Sequence, residues 1–213
     1  MTHNESPQHE ETNIAREKEL PARKESFFKE LLRFSLIAIV VVLPIRYFIA
    51  QPFIVNGASM DPTFETGQYL IVDQLSYRFE NPSRGDVVIF RYPLDPQKFF
   101  IKRVIGLPGE TVILNASGIT IINEANPDGF ALDQDFVQHT KTENLSEITL
   151  RETEYFVLGD NRPASSDSRS WGPLPRKNIV GRAFLRLLPV TEVGVLPGSH
   201  SFESNELSPE KTL

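Results

Sequence analysis

Apolar and polar positions divide the first part of the chain into a polar stretch and a long apolar run. Residues 1–26 are polar and charged and show no apolar periodicity, which indicates a disordered tail. Residues 27–50 are predicted to form a helix, because the charged beginning FFKELLR leads directly into FSLIAIVVVL. Residues 34–55 carry a single charge and are long enough to cross a hydrocarbon core, which takes about 20 helical residues. A buried core helix is the alternative to this predicted membrane anchor.

Pro44 and Arg46 interrupt the apolar run and weaken the prediction of a membrane span. Arg46 lies close to one end of the span, however, where its side chain can reach the headgroups. A removable signal peptide is disfavoured, because such a peptide begins within the first few residues. By the positive-inside rule, the basic residues before the run predict a cytoplasmic N-terminus and an extracytoplasmic chain after residue 51. These residues are Arg16, Lys18, Arg23, Lys24, Lys29 and Arg33.

From residue 68 onward the pattern changes to short runs of β-branched and aromatic residues, bounded by Gly, Pro, Asn and Asp. No helix-length amphipathic pattern lies between these runs, so the fold is predicted to be mostly β over residues 51–190. Residues 124–150 are more polar and indicate an insertion, and residues 191–213 are predicted to be a loose polar tail. The runs are QYLIVDQLSY, GDVVIFRYP, FFIKRVIGLPGETVIL, GITIIN, EYFVLGD and NIVGRAFLRLLP.

Composition excludes several classes of function. The net charge is −6, which argues against a nucleic-acid partner. The chain has no Cys, so disulfides, thiolate metal sites and Cys nucleophiles are excluded. Only four His are present, and His139 alone falls within the predicted β domain, where we interpret it as a solvated loop residue. A Ser-His triad is therefore disfavoured, because few histidines are available to act as its base. Neither a cofactor nor a metal is expected.

The segment NGASMDPTF, residues 56–64, places Ser59 in a compact turn just after the apolar run. Ser59 is either a linker residue or a nucleophile, and a nucleophilic hydroxyl needs an adjacent base. Lysine can be that base if burial lowers its pKa from about 10.4. Strand alternation puts Lys102 on one face with Phe100 and Val104. Arg103 occupies the other face in a similar setting, so the pattern alone leaves open that Lys102 is a charged residue on a partly exposed strand.

Four segments, in this order behind an apolar run, resemble the sequence boxes of bacterial type I signal peptidases. They are SMDPTF (59–64), RGDVVIF (84–90), FIKRVIGLPGE (100–110) and GDNRPASSDSRSWG (159–172). Each segment alone is a weak signal, but four in sequence are specific. The resembled family consists of membrane-bound serine proteases that remove signal peptides. It implies a mostly β catalytic domain with a small inserted β region, here residues 111–153, behind one N-terminal transmembrane helix.

The resemblance also assigns roles to individual residues. It implies that Ser59 is the nucleophile, that Lys102 is the general base, and that Ser165 hydrogen-bonds the lysine amine. It makes four charged residues of the last segment structural, with opposite charges that can pair and fix the loop. Some members use a serine hydroxyl two positions before the nucleophile in the oxyanion hole, but Gly57 stands there, so the backbone N–H of Ser59 is the only donor we assign. The four charged residues are Asp160, Arg162, Asp167 and Arg169.

The implied function is cleavage of signal peptides from exported preproteins after small residues of the Ala-X-Ala type. The substrate would bind extended at an edge strand, and the implied partners are signal peptides, the lipid bilayer and the export machinery. Two alternatives remain: a self-cleaving Ser/Lys protease of the repressor type, and a non-catalytic membrane-tethered module that binds peptides. The distance from Ser59 Oγ to Lys102 Nζ separates catalysis from binding, since a dyad requires about 2.6–3.2 Å.

Overall fold

A computed structural model describes residues 22–44, 50–139, 145–200 and 202. The chain forms two units, Met1–Arg46 and Tyr47–Leu213, and the second is mostly β. The helices are α1 (Ala22–Pro44) and α2 (Ser168–Trp171). The strands are β1 (Ala50–Ile54), β2 (Tyr69–Asp73), β3 (Val87–Tyr92), β4 (Asp95–Gly106), β5 (Thr111–Asn115), β6 (Gly118–Asn123), β7 (Asn126–Ala131), β8 (Ser146–Thr149), β9 (Glu154–Leu158), β10 (Leu174–Pro175), β11 (Ile179–Leu188) and β12 (Gly194–Val195).

Helix α1 differs from the predicted anchor at both ends. It begins at Ala22 rather than at residue 27, because ARKES consists mainly of residues compatible with a helix. It ends at Pro44, which cannot donate a backbone hydrogen bond, and Ala50 already belongs to β1. The large apolar side chains from Phe27 to Leu43 are exposed. No helix in the described part of the chain combines the length and apolarity needed to cross a membrane.

Some predictions for the N-terminal region concern residues outside the described ranges. The predicted disordered tail lies there as far as residue 21, and so does Arg46 with its proposed headgroup contact. Residues 22–26 belong to α1 instead of the tail, so the predicted boundary at residue 26 is wrong.

The larger sheet has the strand order β1-β2-β11-β3-β4-β9-β10, with β12 paired to β11 and all neighbours antiparallel. Strand β3 is buried on both faces at residues 87–90. Val87 and Ile89 pack into one core cluster, whereas Val88 and Phe90 pack into another. The continuous apolar run VVIF is therefore explained by a strand that lies between two hydrophobic layers.

The smaller sheet has the order β7-β6-β5-β8 and uses only residues from the predicted insertion. Its strands β5 and β6 alternate buried and half-buried residues, so one face of the sheet is buried. That face packs in a third cluster with side chains of the larger sheet, including Ile105 and Phe156. The two sheets thus share one apolar interface.

The segment after β11 departs from the predicted loose tail. Val190–Glu192 forms a 3-10 turn, and Gly194–Val195 adds β12 to the larger sheet. The carbonyl of Gly198 accepts a hydrogen bond from the buried side chain of Arg103. Polar composition alone suggested a tail, but these contacts attach the segment to the larger sheet as far as Gly198. Residues 203–213 lie outside the described ranges.

Candidate active site

Ser59 lies on a tight loop that follows the edge strand β1. Gly57 turns the chain with a φ of 105°, in the left-handed region that favours glycine. Its N–H donates to Thr66 Oγ1 at 3.0 Å, which closes the loop. Met60 and Phe64 are buried behind it, with 1% and 0% of each exposed. The loop is therefore held on one side by a side-chain hydrogen bond and on the other by two core residues.

Lys102 lies on β4 and meets Ser59 in a largely buried position, with only 3% of the lysine exposed. Its Nζ donates to Ser59 Oγ at 2.6 Å and to the carbonyl of Ile101 at 2.9 Å. Burial lowers the pKa of Lys102 from 10.5 to about 8, although the negative charges of Asp167 and Asp160 act in the opposite direction. Above about pH 8 the amine is therefore mostly neutral.

The surroundings of Lys102 decide between the two interpretations of its strand. The Phe100 ring lies 5.3 Å from Nζ, and Val104 is fully buried. The interpretation of Lys102 as a charged residue on a partly exposed strand is therefore wrong. The Oγ–Nζ distance of 2.6 Å lies in the range required of a hydroxyl that is hydrogen-bonded to its base.

Gly159 brings the loop of residues 159–165 against the backbone of Ser59. The amide of Asn161 donates to the Ser59 carbonyl at 3.1 Å. A Cβ built on Gly159 would lie 2.3 Å from that carbonyl oxygen and 2.2 Å from Ser165 Oγ. Only a glycine allows such a close approach between these backbones.

Ser165 lies beside this junction, but its expected hydrogen bond to Lys102 is not formed. Its Oγ is buried and has no hydrogen-bond partner in the described part of the chain. The lysine amine instead contacts Ser59 and the carbonyl of Ile101. The Ser165 hydroxyl packs closely against Gly159.

Arg103, which the sequence did not single out as a site residue, is the partner of Asp160. Its Nε and Nη2 donate to the two Asp160 carboxylate oxygens at 2.9 and 2.6 Å, and both side chains are only 1% exposed. Thr63 Oγ1 also donates to Asp160, at 2.7 Å. A buried ion pair of this kind requires extra hydrogen bonds, and Arg103 adds one to the Gly85 carbonyl at 3.0 Å. The sequence signal that could have identified Arg103 is its place next to Lys102 within the apolar run FFIKRVIG.

The remaining charged residues of the loop fix its backbone. Arg169 donates from Nε and Nη2 to the Asp167 carboxylate, at 2.7 Å each, so the expected pairing of opposite charges occurs here. Arg169 Nη2 also donates to the Arg162 carbonyl at 2.8 Å. Arg162 Nε donates to the Gly159 carbonyl at 3.0 Å, and its Nη1 donates to Gln134 Oε1 at 2.5 Å. Sequence reasoning did not find Gln134, because nothing in the local pattern places it near this loop.

A cleft of about 410 Å³ opens beside Ser59 and Lys102. One wall is the end of β1 with the loop that follows it, residues 53–59, and another is residues 98–102 of β4. Leu70 and Ile89 form part of the apolar lining. The described part of the chain contains no group of three His, Cys, Asp or Glu side chains that could hold a metal ion.

Residues 28–188 match the family described as signal peptidase, peptidase S26. The chain belongs to this family. Curated relatives include "Probable signal peptidase I-2" of Synechocystis sp., 34% identical over 93% of this chain and 91% of the relative, and "Probable signal peptidase I-1" of the same organism, 38% identical over 83% and 90%. Signal peptidase I of Leptolyngbya laminosa is 38% identical over 75% of this chain and 79% of its own. A crystal structure of a signal peptidase I from Enterococcus faecalis V583 is 32% identical, with a TM-score of 0.41, and covers 48% of this chain and 97% of that one.

As a member of the signal peptidase family, the chain is a serine endopeptidase. The match includes every strand from β1 to β11, together with Ser59, Lys102 and the loop of residues 159–165. Strand β12 and Gly198, whose carbonyl accepts from Arg103, lie beyond the matched residues. The family assignment thus covers both walls of the cleft.

Proposed function

We propose that this signal peptidase uses Ser59 as nucleophile and Lys102 as general base to cleave signal peptides from exported preproteins. The observation that carries the proposal is the 2.6 Å contact between Ser59 Oγ and a lysine amine with a lowered pKa. A neutral amine has a lone pair that can accept the hydroxyl hydrogen, as a base must. A non-catalytic peptide-binding module has no need of this pair.

The proposed reaction proceeds in two steps. Ser59 Oγ attacks the scissile carbonyl carbon while its proton passes to Lys102 Nζ. The resulting ammonium gives that proton to the leaving amine as the carbon–nitrogen bond breaks, which leaves an acyl-enzyme ester. Lys102, neutral again, then takes a proton from water as the water attacks the ester, and returns it to Ser59 Oγ when the signal peptide leaves.

Negative charge on the carbonyl oxygen needs hydrogen-bond donors during both steps. We propose the backbone N–H of Ser59 as one donor. Gly57 offers no side-chain hydroxyl, but its left-handed turn orients the peptide groups of the loop. Thr66 supports that orientation by accepting from the Gly57 N–H.

We propose that the substrate lies extended in the cleft, between the residues that follow β1 and those of β4. The apolar lining and the modest volume favour small side chains near the scissile bond, as in the Ala-X-Ala type. Strand β1 lies at the edge of the larger sheet, and an extended peptide can add to such an edge through main-chain hydrogen bonds.

We further propose that residues near α1 anchor the enzyme to the lipid bilayer, with the N-terminus cytoplasmic and the β unit outside. The exposed apolar side chains of residues 34–43 and the basic residues before them support this arrangement. Anchoring would raise the effective concentration of a membrane-bound substrate near the export machinery. Protease added to intact spheroplasts should then digest the β unit, and digestion of the N-terminal segment instead would contradict this topology.

The deciding experiment is cleavage of a preprotein by the detergent-solubilised full chain, with sequencing of the new N-terminus. Ser59→Ala, Lys102→Met and Lys102→Arg should each abolish cleavage, since an arginine side chain stays protonated. Lys177→Met is the matched control, because this lysine is exposed. Cleavage by Lys102→Arg at near the original rate would rule out the dyad. Cutting only within the chain itself would favour the self-cleaving alternative.

A further inference from the structure

The inserted smaller sheet is connected to the active-site loop by the segment that follows β7. Leu132 is buried at the start of this segment, and its N–H donates to the Ile119 carbonyl at 2.8 Å. At the other end, His139 forms a parallel bridge with Asn161, and its carbonyl accepts from the Arg162 N–H at 3.2 Å. The segment therefore spans from the smaller sheet to the loop.

Gln134 provides the side-chain contact within this connection. Its Oε1 accepts from Arg162 Nη1 at 2.5 Å, and the bond is partly buried. A hydrogen bond to a charged donor is stronger than one between neutral groups. Phe136, two residues later, packs its ring 4.1 Å from the guanidinium carbon of Arg103, which attaches the segment to β4 as well. Gln134 is thus presented from a segment held at several points.

Arg162 transmits this contact to the nucleophile. Its Nε donates to the Gly159 carbonyl, and the Cα of Gly159 lies directly against the carbonyl of Ser59. Two residues after Gly159, the backbone N–H of Asn161 donates to the same Ser59 carbonyl. A shift of the Arg162 side chain therefore displaces backbone that is in contact with Ser59. Packed groups at such short distances cannot absorb the displacement without moving one another.

We propose that Gln134 is a positioning residue for the proteolytic reaction: it holds Arg162, and through it the loop of residues 159–165, against Ser59. This inference rests on the proposed function, because it concerns the same nucleophile. It gives the inserted sheet a role in catalysis that its place outside the cleft does not suggest, since Gln134 contributes nothing to the cleft lining.

The test compares Gln134→Ala with Gln138→Ala in the full chain. Both changes remove a glutamine from the same segment, but Gln138 is exposed. We expect Gln134→Ala to lower kcat by about tenfold or more, because small misplacements of reacting groups carry large costs in rate. KM should change less than kcat does, since residues 53–59 and 98–102 of the cleft wall are untouched and Ala164 is the one lining residue that belongs to the loop of residues 159–165. Gln138→Ala should match the original enzyme, and Gln134→Glu, which keeps an acceptor for Arg162, should restore most of kcat.

A double-mutant cycle tests whether the effect passes through Arg162. If it does, Gln134→Ala combined with Arg162→Lys should lower kcat no further than the more damaging single change does. Fluorescence of Trp171 during thermal unfolding shows whether each variant is folded at the assay temperature. A folded Gln134→Ala with unchanged kcat would overturn the inference, and so would equal losses in Gln134→Ala and Gln138→Ala or fully additive effects in the cycle. Ser59→Ala in the same assay tests the proposed function separately. If Ser59→Ala still cleaves the preprotein, the proposed function fails; if it does not, the Gln134 variants alone decide this inference.

Discussion

The replacement Lys102→Met removes a buried amine while keeping a side chain of similar length, and its effect on stability should depend on pH. The pKa of Lys102 falls from 10.5 to about 8 on folding, and the first cause is burial. Each pH unit of such a change corresponds to about 1.4 kcal/mol. At neutral pH the charged lysine therefore lowers the free energy of unfolding by about 3 kcal/mol, relative to a site that keeps the ordinary pKa.

The sign of the pH dependence follows from proton binding. Between about pH 8 and 10.5 the unfolded chain holds a proton on Lys102 that the folded chain has released. Stability of the original protein therefore rises with pH across this window, because the unfolded state binds more protons. Lys102→Met lacks this titration. At pH 7 the variant therefore gains the free energy of unfolding that the charged lysine costs the original protein. This gain should shrink by about 2 kcal/mol between pH 7 and pH 9.5.

Urea unfolding at a series of pH values measures this difference. The single tryptophan, Trp171, lies in α2 of the β unit, packed near Phe90 and Tyr92, so its fluorescence reports unfolding of that unit. All ionisable groups other than Lys102 are shared by the two proteins, so their contributions cancel in the comparison. Lys177→Met is the control and should keep the pH slope of the original protein, because that lysine is exposed.

A stability difference that stays constant within about 0.5 kcal/mol from pH 7 to pH 9.5 would contradict this prediction. It would mean that the folded and unfolded chains hold the Lys102 proton equally well across this range. Burial would then have no effect on the pKa of the amine, and Lys102 would remain protonated at the pH where it is proposed to act as a base.

Three further predictions concern the same site. The kcat/KM of preprotein cleavage should rise about tenfold per pH unit below pH 8 and level off above it, since only neutral Lys102 can accept the Ser59 proton; a profile flat down to pH 6 would contradict this. Arg103→Met should lower the free energy of unfolding by about 3–5 kcal/mol, measured by urea, because it leaves Asp160 buried without its ion-pair partner. Gly159→Ala should reduce cleavage at least about tenfold, because the new Cβ would lie 2.2–2.3 Å from Ser165 Oγ and the Ser59 carbonyl, whereas Gly194→Ala, whose nearest contact is at 3.9 Å, should be active.

Several β runs of the sequence predicted strands well, because they lie between turn residues and have about a strand's length. QYLIVDQLSY contains β2, GDVVIFRYP contains β3, and EYFVLGD contains β9. The first strand was missed. Residues 50–54 were assigned partly to the apolar span, since AQPFI carries no charge and follows that span directly. Apolar composition alone does not distinguish the end of a helix from an edge strand, and only pairing with β2 does so.

Side-chain partners were harder to predict than strands. Asp160 was expected to pair within its own loop, but its partner is Arg103, which lies far away in the sequence and is adjacent to Asp160 only in the fold. Ser165 was expected to contact Lys102, and it packs against Gly159 instead. The local sequence pattern indicates which side chains can form ion pairs or hydrogen bonds. The crossing of β4 with the loop of residues 159–165 decides which of them do.

Lys102 and Arg103 show how the fold gives adjacent charges different properties. Both are almost completely buried, with 3% and 1% exposed. Arg103 is paired with a carboxylate and with backbone carbonyls, so its charge is compensated. The amine of Lys102 contacts only neutral oxygens within the described part of the chain, those of Ser59 and Ile101, so desolvation dominates and its pKa falls. Because Arg103 draws the Asp160 carboxylate into its own ion pair, Lys102 is left to titrate near physiological pH, which is the property that the proposed role as a base requires.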